Sequence, residues 1–311
     1  MTDNFDGAHF SNKAPGFESP DQSPDSDHLA RLWQTANKAW WERSPMRYDW
    51  REPIPFEEGT AEYFAHIDHR FLEAVRHYLP WHRLPFEELI PYDQLPHLHV
   101  LEVGVGQGTH AQLIAPHSKS FVGIDLTERA ARATTTRFRL ADIRGRIFQM
   151  DAEHMTFADQ SFDFIWSWGV IHHSSNTQRV LREMARVLRP GGKAALMVYY
   201  RSPLQYYLFT GLGRGLLKGD FWSVGGIHRI NQAATDGALA RFFSIAAFSK
   251  LAQGMFLIDR TFITGQKADA FPILHGRLKS FLLAHTPDSI TRFITNVLRL
   301  GTFLIVRLTR T

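Results

Sequence analysis

Leu98-His-Val-Leu-Glu-Val-Gly-Val-Gly-Gln-Gly108 joins an apolar run directly to three closely spaced glycines. Its first six residues form a short, largely apolar run, the pattern of a buried strand. Gly104, Gly106 and Gly108 then permit a tight turn and a close approach of ligand to backbone, with free N–H groups where a helix opens. Outward from this stretch the alternation repeats. Strand signals fall at 98–103, 120–125, 146–150, 162–167 and 193–200, with helical stretches at about 108–115, 127–140 and 176–188 between them. Alternation of this kind with buried strands predicts an α/β fold with a parallel, doubly wound sheet. Two later strand candidates, 255–263 and 302–308, would complete it.

Four further features stand at fixed places along that alternation. The three glycines are spaced Gly-x-Gly-x-Gly, one residue tighter than the Gly-x-Gly-x-x-Gly fingerprint of dinucleotide binders. Asp125 ends the second strand, where a carboxylate can accept hydrogen bonds from two ribose hydroxyls; a helix cap is the alternative, and Thr127 shares that candidacy. Asp151-Ala152 ends the third strand, where a side-chain acceptor and a backbone N–H can read an adenine edge. Ser161-Phe-Asp-Phe-Ile-Trp-Ser-Trp-Gly-Val-Ile-His-His173 is a buried strand that breaks at Gly169, and Val187-Leu-Arg-Pro-Gly-Gly192 turns a helix into the fifth strand.

In this order and spacing, the chain resembles the class I S-adenosylmethionine-dependent methyltransferase family, in particular its ubiquinone/menaquinone-biosynthesis-type small-molecule group. The resemblance covers about residues 98–200. It implies a doubly wound, seven-stranded Rossmann-like methyltransferase sheet whose last strand inserts antiparallel, with S-adenosylmethionine as cofactor. It also implies site roles. Glu102 and the backbone of Gly104, Gly106 and Gly108 would hold the methionine part. Asp125 with Leu126 would take the ribose and adenine, Asp151 with Ala152 the adenine, and the backbone around Ser167 would flank the methionine end. Asp163 matches the family pattern as a structural residue.

Methyl transfer needs the nucleophile, methyl carbon and sulfur held in line, and a base only where the acceptor must lose a proton. Imidazole, with an ordinary pKa of ~6.5, suits that task near neutrality. His172 and His173 follow the fourth strand at the edge where open α/β sheets bind ligands, and are the leading catalytic candidates, against a structural role bonding nearby backbone. Tyr199, Tyr200 and His228 rank below them.

Around this core the expectations are as follows. Residues 1–27 read as a disordered acidic tail, and 28–97 as an N-terminal helical cap with helices at 28–41, capped by Asp27, and at 60–79, capped by Thr60 and ended by Pro80. Trp33, Trp40, Trp41, Tyr48, Trp50 and Phe56 are expected to pack this cap onto the methyltransferase domain, 98–311, or to cover its active site. His66 and His69 are taken as solvent-facing, and no metal site is expected. The aromatic, glycine-rich region 203–254 is the acceptor side or lid, with a helix at 235–252. A helical insert at 265–300 carries Leu278, Phe281, Leu282, Ile290, Phe293, Ile294, Val297 and Leu298 at helical spacing among basic residues; it could shape the acceptor pocket, pair subunits or make peripheral membrane contact, and packing on the core is favoured.

Composition narrows the function classes. With 44% hydrophobic and 21% charged residues the chain is ordinary for a soluble protein, and no apolar run approaches the ~18 residues of a membrane span. The absence of cysteine excludes disulfides, thiolate zinc sites and cysteine nucleophiles, and fits a cytoplasmic location. The net charge of +4 hides six acids and one lysine in residues 1–27, leaving about +9 on the rest without a clustered basic stripe. Ser167-Trp-Gly-Val stands where base-methylating enzymes carry Asn/Asp-Pro-Pro-Tyr, so the expected partner is a small, fairly apolar acceptor and not nucleic acid. The rival readings are a non-catalytic cofactor-binding module and a nicotinamide-dependent oxidoreductase.

Overall fold

The computed structural model describes Ala14 and residues 22–48, 52–273 and 276–311. Most of the expected acidic tail, and Trp50, lie outside the described residues. One seven-stranded sheet is present among them, in the order β3-β2-β1-β4-β5-β7-β6. Its strands are β1 (His99–Val103), β2 (Ser120–Asp125), β3 (Arg146–Gln149), β4 (Phe162–Trp168), β5 (Leu188–Tyr199), β6 (Phe256–Thr264) and β7 (Phe303–Arg310). The first five run parallel, and β7 inserts antiparallel between β5 and β6, as the resemblance implies.

Strand alternation divides the core into two layers. Leu101, Val103 and Ile165 point to one face, where α5 (Thr177–Val187) and α8 (Ile245–Ala252) bring Val180, Leu181, Met184 and Phe248. Val100, Phe164 and Trp166 point to the other, against α2 (Ala61–Tyr78), α3 (Thr109–Ile114) and α4 (Glu128–Leu140) through Phe71, Val75, Ile114 and Phe138. α2 is thus a layer of the sheet. Its Asp68 forms an ion pair with buried Arg137 of α4, which also donates to the Gln107 carbonyl in the glycine turn.

α1 (Asp27–Arg43) takes a different position, at the C-terminal edge of the strands. Ser26 caps it, its Oγ accepting from Leu29 N, while the expected cap Asp27 sits in the first turn. Trp33 and Trp40 pack with Ala238 and Leu239, and Arg241 lies over the Trp33 ring.

Three further expectations fail. The helix expected at 235–252 exists only as α8, because Gly237 takes φ +89° and residues 238–243 run as a non-helical strap. Along that strap Ala238 O accepts from Ala14 N, Arg241 N donates to His172 O and Phe243 N donates to Tyr199 O. Tertiary hydrogen bonds here override a helix-compatible sequence. His66 is half-buried against Phe56 and not solvent-facing, while His69 is exposed. Among the described residues no cluster of metal-ligating type occurs.

The third failure concerns the insert. It is helical, as α9 (Arg277–His285), α10 (Asp288–Arg292) and a π-helical turn at Phe293–Val297. Its apolar face does not pack on the core. Leu278, Phe281, Ile290, Phe293, Val297 and Leu298 are exposed, whereas Lys279, Thr291 and Thr295 are buried, so the helical spacing was read correctly and its inward side was not.

Candidate active site

β1 delivers the chain into the glycine turn. Gly104 (φ +84°) and Val105 both donate to the Ile124 carbonyl, at 2.8 and 3.2 Å, which ties the turn to β2. A Cβ on Gly104 would stand 2.2 Å from Val170, so only glycine fits. At Gly106 (φ +52°) nothing lies within 4 Å of that position, which leaves open space beside the backbone.

Glu102 sits one residue before the turn's last strand position, fully buried, and neither carboxylate oxygen has a hydrogen-bond partner. His110 Nδ1 lies 3.9 Å from Oε1. Burial, reinforced by the charge of Asp125 and opposed by Arg137, pushes the Glu102 carboxyl well above its usual range. Burial and Arg137 pull His110 down to about 3, so that ring is neutral. A buried carboxylate without donors is costly, and the arrangement asks for a cation or an N–H from outside the chain.

Asp125 is braced. Its Oδ1 accepts from Thr127 N (2.9 Å) and Thr127 Oγ1 (2.8 Å), and its Oδ2 accepts from Gly106 N (3.1 Å). Burial raises its pKa and these three hydrogen bonds oppose the rise. Thr127, whose Oγ1 accepts from Ala130 N, is the cap of α4, so Asp125 is not its cap. Leu126 is half-buried, its carbonyl accepting from Gln149 Nε2 at 3.3 Å. Ser167, buried in β4, donates to the Val103 carbonyl at 3.0 Å and joins the two central strands at the turn.

Asp151 meets a residue that the sequence did not flag. Its Oδ1 accepts from Gln34 Nε2 of α1 (2.8 Å) and from Glu153 N (2.9 Å), while Gln34 Oε1 accepts from Ser175 N (3.2 Å). α1 therefore bridges the ends of β3 and β4, beside half-buried Ala152. Glu153 was missed too. Its Oε1 accepts from Ser174 Oγ, Ser175 Oγ and Asn176 N at 2.7–2.9 Å, and fixes the loop after His173. No local spacing signals a Gln 117 positions away from its partner.

The two histidines part company. His173 Nδ1 donates to the Leu239 carbonyl at 2.5 Å, and its ring meets Trp41 edge-on at 5.0 Å, so it anchors the strap and α1. His172 is fully buried with neither ring nitrogen hydrogen-bonded. Burial, then the neighbouring His173, holds its pKa well below the ordinary value, so the imidazole is neutral. It lies 3.9 Å from the Tyr199 ring, which continues through Phe242 to Tyr206; Tyr206 Oη bonds His228 Nδ1. Burial keeps the Tyr199 phenol protonated.

The sheet thus gathers Glu102, the three glycines, Asp125, Leu126, Asp151, Ala152 and Ser167 at the C-terminal edge of four neighbouring parallel strands, with His172 and His173 just beyond β4. S-adenosylmethionine suits this donor set, because its amino-acid end carries an ammonium that an unpaired buried carboxylate can accept, and the open space at Gly106 admits a ligand against backbone.

Residues 101–196, from β1 into β5, match the family described as Methyltransferase domain. The chain is similar to the 27-O-demethylrifamycin SV methyltransferase of Amycolatopsis mediterranei (strain S699), 35% identical over 100 residues that make up 31% of this chain and 37% of that one. It is also similar to the ubiquinone biosynthesis O-methyltransferase of Coxiella burnetii (strain RSA 493 / Nine Mile phase I), 28% identical over 115 residues, 37% of this chain and 49% of that one. The chain thus spans between a third and a half of the length of these curated relatives. Among solved structures, the YcgJ protein of Bacillus subtilis superposes with a TM-score of 0.44 at 16% identity, covering 71% of this chain and 94% of that one.

Proposed function

We propose, from the class I S-adenosylmethionine-dependent methyltransferase domain in residues 101–196, that the chain transfers a methyl group to a small, fairly apolar acceptor. The observation that carries this reading is Glu102, a buried carboxylate with both oxygens unpaired beside a turn only glycine can make. When bound, S-adenosylmethionine supplies a methyl carbon on a cationic sulfur, open to in-line displacement by a lone pair.

The chain's own residues then do four things. Glu102 accepts the donor's ammonium. Asp125, held by Thr127 and Gly106, has one acceptor position left, on Oδ2, for a ribose hydroxyl. α1, through Gln34 and Trp41, closes the edge above β3 and β4 and excludes water from it. The unpartnered imidazole of His172 takes the proton from a hydroxyl or thiol acceptor as the new bond to carbon forms. An apolar acceptor suits the ring wall of His172, Tyr199, Phe242 and Tyr206. The names of the rifamycin and ubiquinone relatives are consistent with a small-molecule acceptor.

The test is incubation of the full chain with methyl-labelled S-adenosylmethionine and a panel of phenols, quinols, thiols, alcohols and amines, with products read by mass spectrometry. A single labelled methyl on at least one apolar member is expected. Donor binding without transfer to any of them would make the chain a cofactor-binding module instead.

A further inference from the structure

Two segments leave the sheet at the same level. β5 ends at Tyr199, opposite Phe303 at the start of β7, and Phe303 also faces Thr264 at the end of β6. Residues 200–243 and 265–302 therefore both emerge at the C-terminal edge, where the donor site lies. They touch each other there: Gln205 Nε2 donates to the Asp269 carbonyl (2.8 Å) and Ser202 Oγ to the Leu300 carbonyl (2.6 Å).

Both segments are amphipathic with the polarity reversed. In the π-helical segment Pro203–Leu217 the buried residues are Tyr206, Thr210, Gly211 and Gly215, while leucines face out. In the insert the buried residues are Lys279, whose Nζ donates to the Ile273 carbonyl, with Thr291 and Thr295. Outward stand Leu217 and Trp222, each 77% exposed, and Leu278 and Val297, each 65% exposed, together with Phe281 and Phe293. Scattered exposed leucines are ordinary; so many on one rim of a soluble fold mark an interaction surface.

Charge identifies what the surface meets. Across 203–230 and 265–302 there are eight Lys and Arg against three Asp. Asp220 is ion-paired with Arg214, Asp288 with His77 and Lys267, and Asp269 is turned inward to Gln266 N and Thr302 Oγ1. Lys218, Arg229, Arg277 and Arg299 are exposed among the outward apolar residues. A second copy of the chain, docked through this face by a two-fold axis, would set those cations against their own equivalents. Anionic headgroups above an apolar layer satisfy both halves of the pattern. No described helix is long and apolar enough to cross a membrane, so the contact is with the interface.

We propose that this rim is a docking surface for an anionic lipid bilayer, which seats the donor-site edge of the sheet on the membrane. The proposal goes beyond the methyl-transfer reading and does not depend on it, since the docking residues are not those of the donor site.

The experiment is flotation of the full chain with vesicles of equimolar phosphatidylcholine and phosphatidylglycerol, and with phosphatidylcholine alone. The chain is expected to float with the anionic vesicles, to stay behind with the neutral ones, and to be released as salt screens the attraction. The substitutions Leu217→Ser, Trp222→Ser and Phe281→Ser together should cut the bound fraction at least about tenfold, and Lys218→Glu with Arg277→Glu should do the same. All five positions are exposed, so the fold is kept, and calorimetric affinity for S-adenosylmethionine, read on the same variants, should not change. Three results overturn the proposal: no flotation with anionic vesicles, flotation that survives both sets of substitutions, or a dimer by light scattering that these substitutions dissolve.

Discussion

Across β3, β2, β1 and β4 the C-terminal edge of the sheet is bound together by hydrogen bonds between named groups, whereas across β5, β7 and β6 it carries stacked rings and outward leucines. In the first region Asp125, Gly106, Thr127 and Ser167 hold the turn in one geometry. In the second, Phe242 stacks on Tyr199 and meets Tyr206 at a tilt. Under the proposed function, the contrast follows from what each region would recognise. A donor with an ammonium, two ribose hydroxyls and an adenine needs fixed polar partners, which tolerate little variation. The proposed apolar acceptor would need shape, which many sequences supply.

His172, where the two regions meet, is the place to break the contrast most severely. Its replacement by Asn should lower kcat by roughly 10²–10⁴-fold if it takes the acceptor's proton, and leave donor affinity unchanged. Steady-state kinetics against calorimetry separates the two effects. Because its pKa is held well below the ordinary ~6.5, the imidazole stays in its base form down to that pH and below, so its activity loss should appear only on the acid side. An equal loss of donor affinity would move His172 into the donor region. His173→Ala should act through stability instead, since its ring is fastened to the Leu239 carbonyl.

Gly104 tests the rigidity of the polar region. Alanine there would be forced into φ +84° and against Val170, and should cost roughly 3 kcal/mol of stability in denaturant unfolding, with donor binding lost as the turn shifts. A fully stable, donor-binding Gly104→Ala chain would show the turn to be looser than its contacts imply.

Glu102→Gln sharpens the comparison because its two effects have opposite signs. Donor affinity should fall by roughly 10–100-fold as a charge-assisted contact becomes a neutral one. The ligand-free chain should become more stable at neutral pH. A carboxyl whose folded pKa is raised contributes its full stability below the unfolded value of ~4.3 and loses it as pH rises through the folded value. Thermal unfolding followed against pH should show that decline in the native chain and not in the Gln variant. Donor affinity of the native chain should rise over the same interval, as the carboxylate forms.

The same physical contrast explains what was legible in the sequence. The parallel, doubly wound alternation was legible in the spacing of strand, glycine and helix signals, whereas the antiparallel β7 and the gathering of Glu102, the glycines, Asp125 and Asp151 at one edge were legible only through the family resemblance. The 238–243 strap was not legible, because Ala238-Leu239-Ala240 fits a helix equally well until Ala14, His172 and Tyr199 supply its hydrogen bonds. Gln34 and Glu153 were hidden for the same reason: their partners are distant in the chain. The insert gave the period of its helices but not their inward side, since periodicity identifies an apolar face without saying whether protein or something else covers it.

Isothermal calorimetry decides whether the glycine turn with Glu102 is a methyl-donor site. The full chain is titrated with S-adenosylmethionine and, separately, with NAD. Saturable binding of S-adenosylmethionine that weakens sharply in Glu102→Gln is expected, and none of NAD. Binding of NAD alone, or S-adenosylmethionine bound equally well by the Gln variant, would contradict that assignment.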